Sequence, residues 1–91
     1  MKQVKESSLE DMILILRKTM YREAELKTLF SCGSTLAKQY REIAFEYANN
    51  KYNWLNRYAI PRKMLLEAIP AIYQLIDPKI IEDILLESEN N

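Results

Sequence analysis

Apolar positions recur at helical spacing through most of this chain. Leu9, Met12, Ile13, Leu16 and Met20 repeat at steps of one, three and four, which predicts a first helix over the N-terminal twenty residues. Ser7, with Glu10 three residues on, forms a capping-box pattern at its start, each side chain answering the other residue's orphan backbone N–H. Leu14 and Ile15 widen the stripe beyond what one neighbouring helix covers, so this helix is read as lying in a deep core, with contact to another subunit as the sharper option. A second helix is predicted from Arg22 to Phe30, with Ala24, Leu26, Leu29 and Phe30 inward. Ser31-Cys32-Gly33-Ser34 reads as a tight turn in which Gly33 takes a positive φ and Cys32 is a small apolar plug. Ser34 caps a third helix running to about Ala48. Leu36, Tyr40, Ile43, Ala44 and Tyr47 form its expected buried stripe, and Thr35, Lys38, Gln39, Arg41 and Glu42 its outer face.

The period then changes. Tyr52, Trp54 and Leu55, followed by Tyr58 to Ile60, are strand-formers on either side of Asn56-Arg57, which predicts a two-stranded hairpin with Asn56 and Arg57 at its tip and Trp54 as its core anchor. Pro61 suits the first turn of a following helix, in which Met64, Leu65, Ala68 and Ile69 pack inward, and Pro70 forces a break near Ile69. Ile72, Tyr73, Leu75 and Ile76 continue the apolar pattern. Asp77 is the expected cap and Pro78 the first residue of a last helix carrying Ile80, Ile81, Ile84, Leu85 and Leu86, with an acidic opposite face. The fold class that follows is mostly α with a small two-stranded β wing, in a single domain of 91 residues. An N-terminal helix spans residues 1–20, a central module 21–69 and an acidic helical segment 70–91. The polar ends, residues 1–6 and 87–91, are expected to fray.

Charge sharpens this picture. The net charge is zero, yet residues 17–63 carry a net +6 and residues 64–91 a net −5. Such asymmetry points to nucleic-acid contact, although a basic face also suits an acidic protein partner. Catalysis finds little support: the chain has no His and one Cys, so the commonest general base and the usual zinc ligand sets are missing. Glu42 and Glu46, one turn apart, read as a solvated helix face, and one Gly does not make a phosphate-cradling loop. The expectation is a non-enzymatic protein that needs no cofactor or metal. A single Cys and no run of membrane-spanning length are consistent with a cytoplasmic location and no membrane partner.

The central module resembles the winged helix-turn-helix of the excisionase and MerR-like group, in particular excisionases from transposons and phages of Gram-positive bacteria. The likeness rests on Leu29-Phe30-Ser31-Cys32-Gly33, on Leu36, on Asn53-Trp54-Leu55, and on Asn56-Arg57-Tyr58-Ala59-Ile60-Pro61-Arg62-Lys63 with Leu65 or Leu66. It covers residues 21–69, and it departs from the usual pattern in that Thr35-Leu36 follows Ser31 by four residues rather than five. The resemblance implies a double-stranded DNA-binding protein of a mobile element or phage, either an architectural factor that steers a recombinase toward excision or a small transcriptional regulator. It implies that Lys38, Arg41, Lys51, Arg57, Arg62 and Lys63 meet phosphates, that Thr35, Lys38 and Gln39 read base edges, and that Ser34 belongs to the same DNA-binding surface. Asn56 and Arg57 sit on the wing, with Arg57 reaching the adjacent minor groove. Self-association on DNA or contact with a recombinase follows from the same likeness.

The alternative is a small all-helical protein-interaction protein, such as a bacteriocin immunity protein or a phage-encoded inhibitor. It predicts that residues 51–63 form an irregular or helical connector, whereas the winged module predicts two antiparallel strands over residues 52–60.

Overall fold

The computed structural model describes residues 7–89. Of the ends expected to fray, residues 1–6 and 90–91 lie outside it, whereas residues 87–89 continue the last helix. The described chain is mostly helical. Its order is α1 (Leu9–Leu16), β1 (Met20–Tyr21), α2 (Glu23–Leu29), α3 (Ser34–Tyr52), β2 (Ile60–Pro61), α4 (Arg62–Ala68), α5 (Ile72–Leu75) and α6 (Pro78–Glu89).

Helix α1 starts one residue later than the capping-box pattern indicates. Ser8, extended at φ −73 and ψ 161, is the cap, and its Oγ accepts from Asp11 N–H at 3.1 Å. Ser7 instead donates its backbone N–H to Ser31 Oγ at 3.1 Å, tying the chain to the turn between α2 and α3. The helix also ends earlier than its apolar stripe predicts. It stops at Leu16, and Met20 belongs to a strand. The reason lies at the Leu16 carbonyl, which accepts from Tyr21 Oη at 2.9 Å and from Arg62 Nη1 at 3.0 Å. Tyr21 is fully buried, Arg62 is nearly so, and burial pushes the Tyr21 phenol far above its ordinary ionisation range.

The sheet is not the predicted hairpin. Strands β1 and β2 pair antiparallel, with Met20 opposite Pro61 and Tyr21 opposite Ile60, so it joins segments some forty residues apart. Arg62 N–H donates to Thr19 O at 3.0 Å and extends the pairing by one bond. Residues 52–59 hold no strand: α3 continues to Tyr52, and a loop follows.

The turn between α2 and α3 also differs from its prediction. Ser31, at φ 50, takes the left-handed position. Cys32 N–H reaches Lys27 O at 3.0 Å and Ser31 N–H reaches Thr28 O at 3.3 Å, the paired bonds of a Schellman C-cap. Gly33 is extended at φ −84 and ψ 179 and serves as N-cap of α3, with Ser34 as the first helical residue. Cys32 is buried, as the plug reading expects, and burial raises its thiol pKa.

Helix α3 is rotated relative to the stripe read from the sequence. Ala37, Ala44 and Ala48 are its buried residues, whereas Leu36 and Ile43 are 42% and 51% exposed. Alanines at i, i+7 and i+11 give a smooth face against which α2 and α4 approach, a closeness that Leu or Ile at the same positions would prevent. Phe30 covers the edge of this seam by stacking on Tyr40, ring centres 4.1 Å apart.

The C-terminal third follows expectation. Ile69 ends α4 ahead of Pro70, and Asp77 Oδ1 accepts from Lys79 N–H at 2.9 Å at the start of α6. Ile81 and Ile84 of α6 are buried in the same core as Met12, Leu16, Leu26, Leu29, Ile60, Leu65, Ile72 and Ile76. No helix among the described residues is long and apolar enough to cross a membrane.

Because two donors share one buried carbonyl, Tyr21→Phe and Arg62→Met each leave the other bond in place. Each is expected to cost about 0.5–1.5 kcal/mol in urea unfolding. The double variant orphans the Leu16 carbonyl and is expected to lose about 0.5–3 kcal/mol more than the sum. Additive losses would show that the carbonyl is not the shared anchor.

Candidate nucleic-acid interface

Helices α2 and α3 pack on each other across the four-residue turn Phe30-Ser31-Cys32-Gly33, which leaves the start of α3 at the surface. Ser34, Thr35, Lys38 and Gln39 are all exposed there. Arg41, one turn further on, is different. Its side chain is only 12% exposed, and it stands 3.2 Å from Glu42 Oε1 and 4.0 Å from Glu23 Oε2. Its guanidinium lies 5.3 Å from the Tyr58 ring centre, and its Nε is buried without a hydrogen-bond partner. Arg41 therefore braces α2, α3 and the following loop.

That loop, residues 53–59, runs back along α3. Asn53, left-handed at φ 56, ends the helix, and Trp54 N–H returns to Ala48 O at 3.2 Å. The Trp54 indole Nε1 donates to both Asn56 O and Ala59 O at 2.8 Å, while Asn49 Nδ2 donates to Trp54 O at 3.1 Å. Asn56 Oδ1 accepts from Tyr58 N–H at 3.0 Å, an Asx-type turn. Trp54 is half-buried and does anchor this region, but by bonding the loop's carbonyls rather than by filling the core of a hairpin. Asn56 and Arg57 remain exposed, with the Arg57 guanidinium 5.3 Å from the Phe45 ring centre. Lys38, Arg41 and Phe45 follow one another at i, i+3 and i+7, so Lys38 shares this side of α3 with the loop.

A second cluster sits at the far end of α3, about 20 Å along the axis from Lys38. Glu67 of α4 accepts from Lys51 Nζ at 2.8 Å, from Tyr47 Oη at 2.7 Å and from Tyr52 Oη at 2.7 Å. The Lys51 ammonium, then the two phenols, hold the Glu67 carboxyl at about 2, against an ordinary 4.5. Lys51 is correspondingly pushed up by Glu67 first and Tyr47 second. The exposed Lys63 places its ammonium 5.5 Å from the Tyr52 ring centre. The sequence offered one clue to this cluster: Glu67 is the sole acid between Glu46 and Asp77.

The ten candidate residues thus divide. Ser34, Thr35, Lys38 and Gln39 are exposed on the first half of α3, Asn56 and Arg57 are exposed on the loop that follows it, and Lys63 is exposed beside its end. Arg41 and Lys51 are engaged with carboxylates. Arg62, expected to meet a phosphate, is turned inward onto the Leu16 carbonyl and is not at the surface. Arg17 and Lys18 also have acidic partners, Glu87 at 3.8 Å and Glu25 at 3.3 Å. Among the described residues of the basic block, Arg22, Lys27, Lys38, Arg57 and Lys63 are exposed without a carboxylate partner.

The lowered pKa of Glu67 sets a pH window. A carboxyl whose folded pKa lies below its unfolded value contributes stability above the unfolded value and loses it as pH falls through the folded one. Stability is expected to drop between pH 4.5 and about 2, with Glu67→Gln flattening that part of the curve. Because Lys51 is about half exposed, solvent screens the pair and the change is partial. Melting temperatures measured across that window in both proteins check it, and identical curves would remove Glu67 from the acid response.

Comparison with protein-family models, with curated proteins and with solved structures gives no match to this chain. The excisionase-like resemblance accordingly rests on the residues quoted for it.

Proposed function

We propose that this chain is a sequence-specific double-stranded DNA-binding protein. In this reading α2, the four-residue turn and α3 act as a helix-turn-helix, a motif whose second helix enters the major groove by its N-terminal residues. The observation that carries it is the exposed start of α3, where Ser34, Thr35, Lys38 and Gln39 stand clear of the core beyond a tight turn. Gln39 reads adenine edges or equivalent groups, and Lys38 serves a base edge or a phosphate. The loop over residues 53–59, with β2 behind it, takes the place of a wing. Arg22, Lys27, Arg57 and Lys63 supply further phosphate contacts.

With the resemblance, this makes the protein an architectural factor in excision of a mobile element or phage, or a small transcriptional regulator. Exposed Leu14 on α1 and Leu86 on α6 are available for a neighbouring copy on DNA or for a recombinase.

One set of observations favours the protein-interaction reading instead. Leu36 and Ile43 are exposed on α3 beside Glu42 and Glu46, and residues 53–59 form an irregular connector rather than a hairpin. The same experiment separates the two. About five phosphate contacts give a log–log salt slope of roughly −4 to −5 per monomer on duplex DNA. Lys38→Ala is expected to reduce the slope by about one, and Gln39→Ala to cost about 1–3 kcal/mol of discrimination at one base position. Duplex affinity that ignores salt would overturn DNA binding and leave α3 as a protein-docking helix.

A further inference from the structure

The loop after α3 contains the most exposed large apolar side chain among the described residues. Leu55 is 83% exposed, although its neighbours Trp54 and Ala59 are half-buried and buried. This is not a slack segment. The Trp54 indole clamps the carbonyls of Asn56 and Ala59, Asn56 closes an Asx-type turn onto Tyr58, and Arg57 and Tyr58 lie against Phe45 and Arg41 of α3. A loop held at this many points presents Leu55 outward as a fixed feature, and the free protein gains nothing from it. Burying a leucine side chain is favourable, so that gain is left to be realised on binding.

The surroundings indicate what receives it. Residues 47–66 include no Asp or Glu, so the charged residues that flank Leu55 in sequence, Lys51, Arg57, Arg62 and Lys63, are all cations. An apolar tip beside Arg57 and Asn56 is the chemistry of minor-groove binders, in which an aliphatic wedge parts a base step while arginine and asparagine face the groove's acceptors. An apolar protein pocket would match Leu55 but would leave the adjacent Arg57 and Asn56 without acidic or acceptor-rich complements.

We infer that Leu55 is a rigid wedge that enters the DNA minor groove, inserts at a base step and kinks the duplex toward the major groove, with Arg57 in the groove beside it. This deepens the DNA-binding reading and rests on it. Wedges of this kind favour steps that unstack readily, so the preferred sites carry a pyrimidine–purine step under the loop.

The test uses the full chain and duplexes that it selects from a random-sequence pool, labelled at both ends with a donor and an acceptor dye. Wild type is expected to raise energy transfer above that of the free duplex. Leu55→Ala should melt at the wild-type temperature, since the side chain is outside the core, and keep the wild-type salt slope. Its transfer should return to the free-duplex value. Leu55→Met, another wedge-forming side chain, should restore the bend. A duplex left straight by wild type, or bent equally by Leu55→Ala, overturns the wedge while leaving DNA binding in place. Failure to select any duplex, or affinity that ignores salt, overturns the DNA-binding reading and the wedge with it.

Discussion

The fold depends on a backbone carbonyl that has to be satisfied away from water. Leu16 ends α1 inside the protein, and its oxygen is met by the Tyr21 phenol and the Arg62 guanidinium. An unpaired buried carbonyl carries a desolvation cost of about 1–3 kcal/mol, a sizeable part of a small domain's stability. Meeting it brings three separate stretches of chain together. Tyr21 is reached only if the chain leaves α1 and turns into β1, and Arg62 only if the segment after α3 returns beside it. The two-stranded sheet is a result of that convergence, because Tyr21 pairs with Ile60 and Thr19 with Arg62 on either side of the same point.

The basic block is reshaped by the same packing. Its net +6 is a sum over side chains with different tasks. Arg62 satisfies a core carbonyl, Arg41 braces two helices and a loop, and Lys51 ties the end of α3 to α4 through Glu67. Such cations are held by partners that are partly shielded from water, so moving them to a phosphate would break existing bonds. The cations without a carboxylate partner are fewer, and of those Lys38 lies on the first half of α3 and Arg57 against Phe45 near its middle. The surface that these cations offer is therefore small and set by geometry more than by total charge.

Helix α3 has two roles on two faces. Its alanine side lets α2 and α4 come close, and its outer side leaves Leu36, Gln39 and Ile43 accessible. The loop that follows is organised by one indole N–H shared between two carbonyls, which replaces the ladder bonds that a hairpin would have supplied. This arrangement keeps Leu55, Asn56 and Arg57 in a defined place beside α3 without a second strand.

Much of the helical content was determined by the sequence itself. Periodicity placed α2 and α4 closely, Pro70 set the break at Ile69, and Asp77-Pro78 marked the start of α6, because capping and proline geometry act over a few residues. The α2–α3 turn was visible, but which residue takes the left-handed conformation was not. The Schellman bonds at Lys27 and Thr28 put Ser31 there and leave Gly33 extended. Strand-forming side chains at Tyr52, Trp54 and Tyr58 suggested a hairpin, since propensity records only local preference. Tyr52 was drawn into α3 by the Glu67 carboxylate, and Trp54 was turned onto its own loop. Exposed Thr35, Lys38 and Gln39 were legible from helical spacing, which also put Arg41 and Glu42 on that face although both are partly buried. The buried face of α3 was not, because hydrophobicity ranks Leu36 and Ile43 above alanine, while closeness of approach selects alanine. Which arginines reach the surface was decided by tertiary structure alone: nothing local to Arg62 announces that a carbonyl forty-six residues earlier needs a donor.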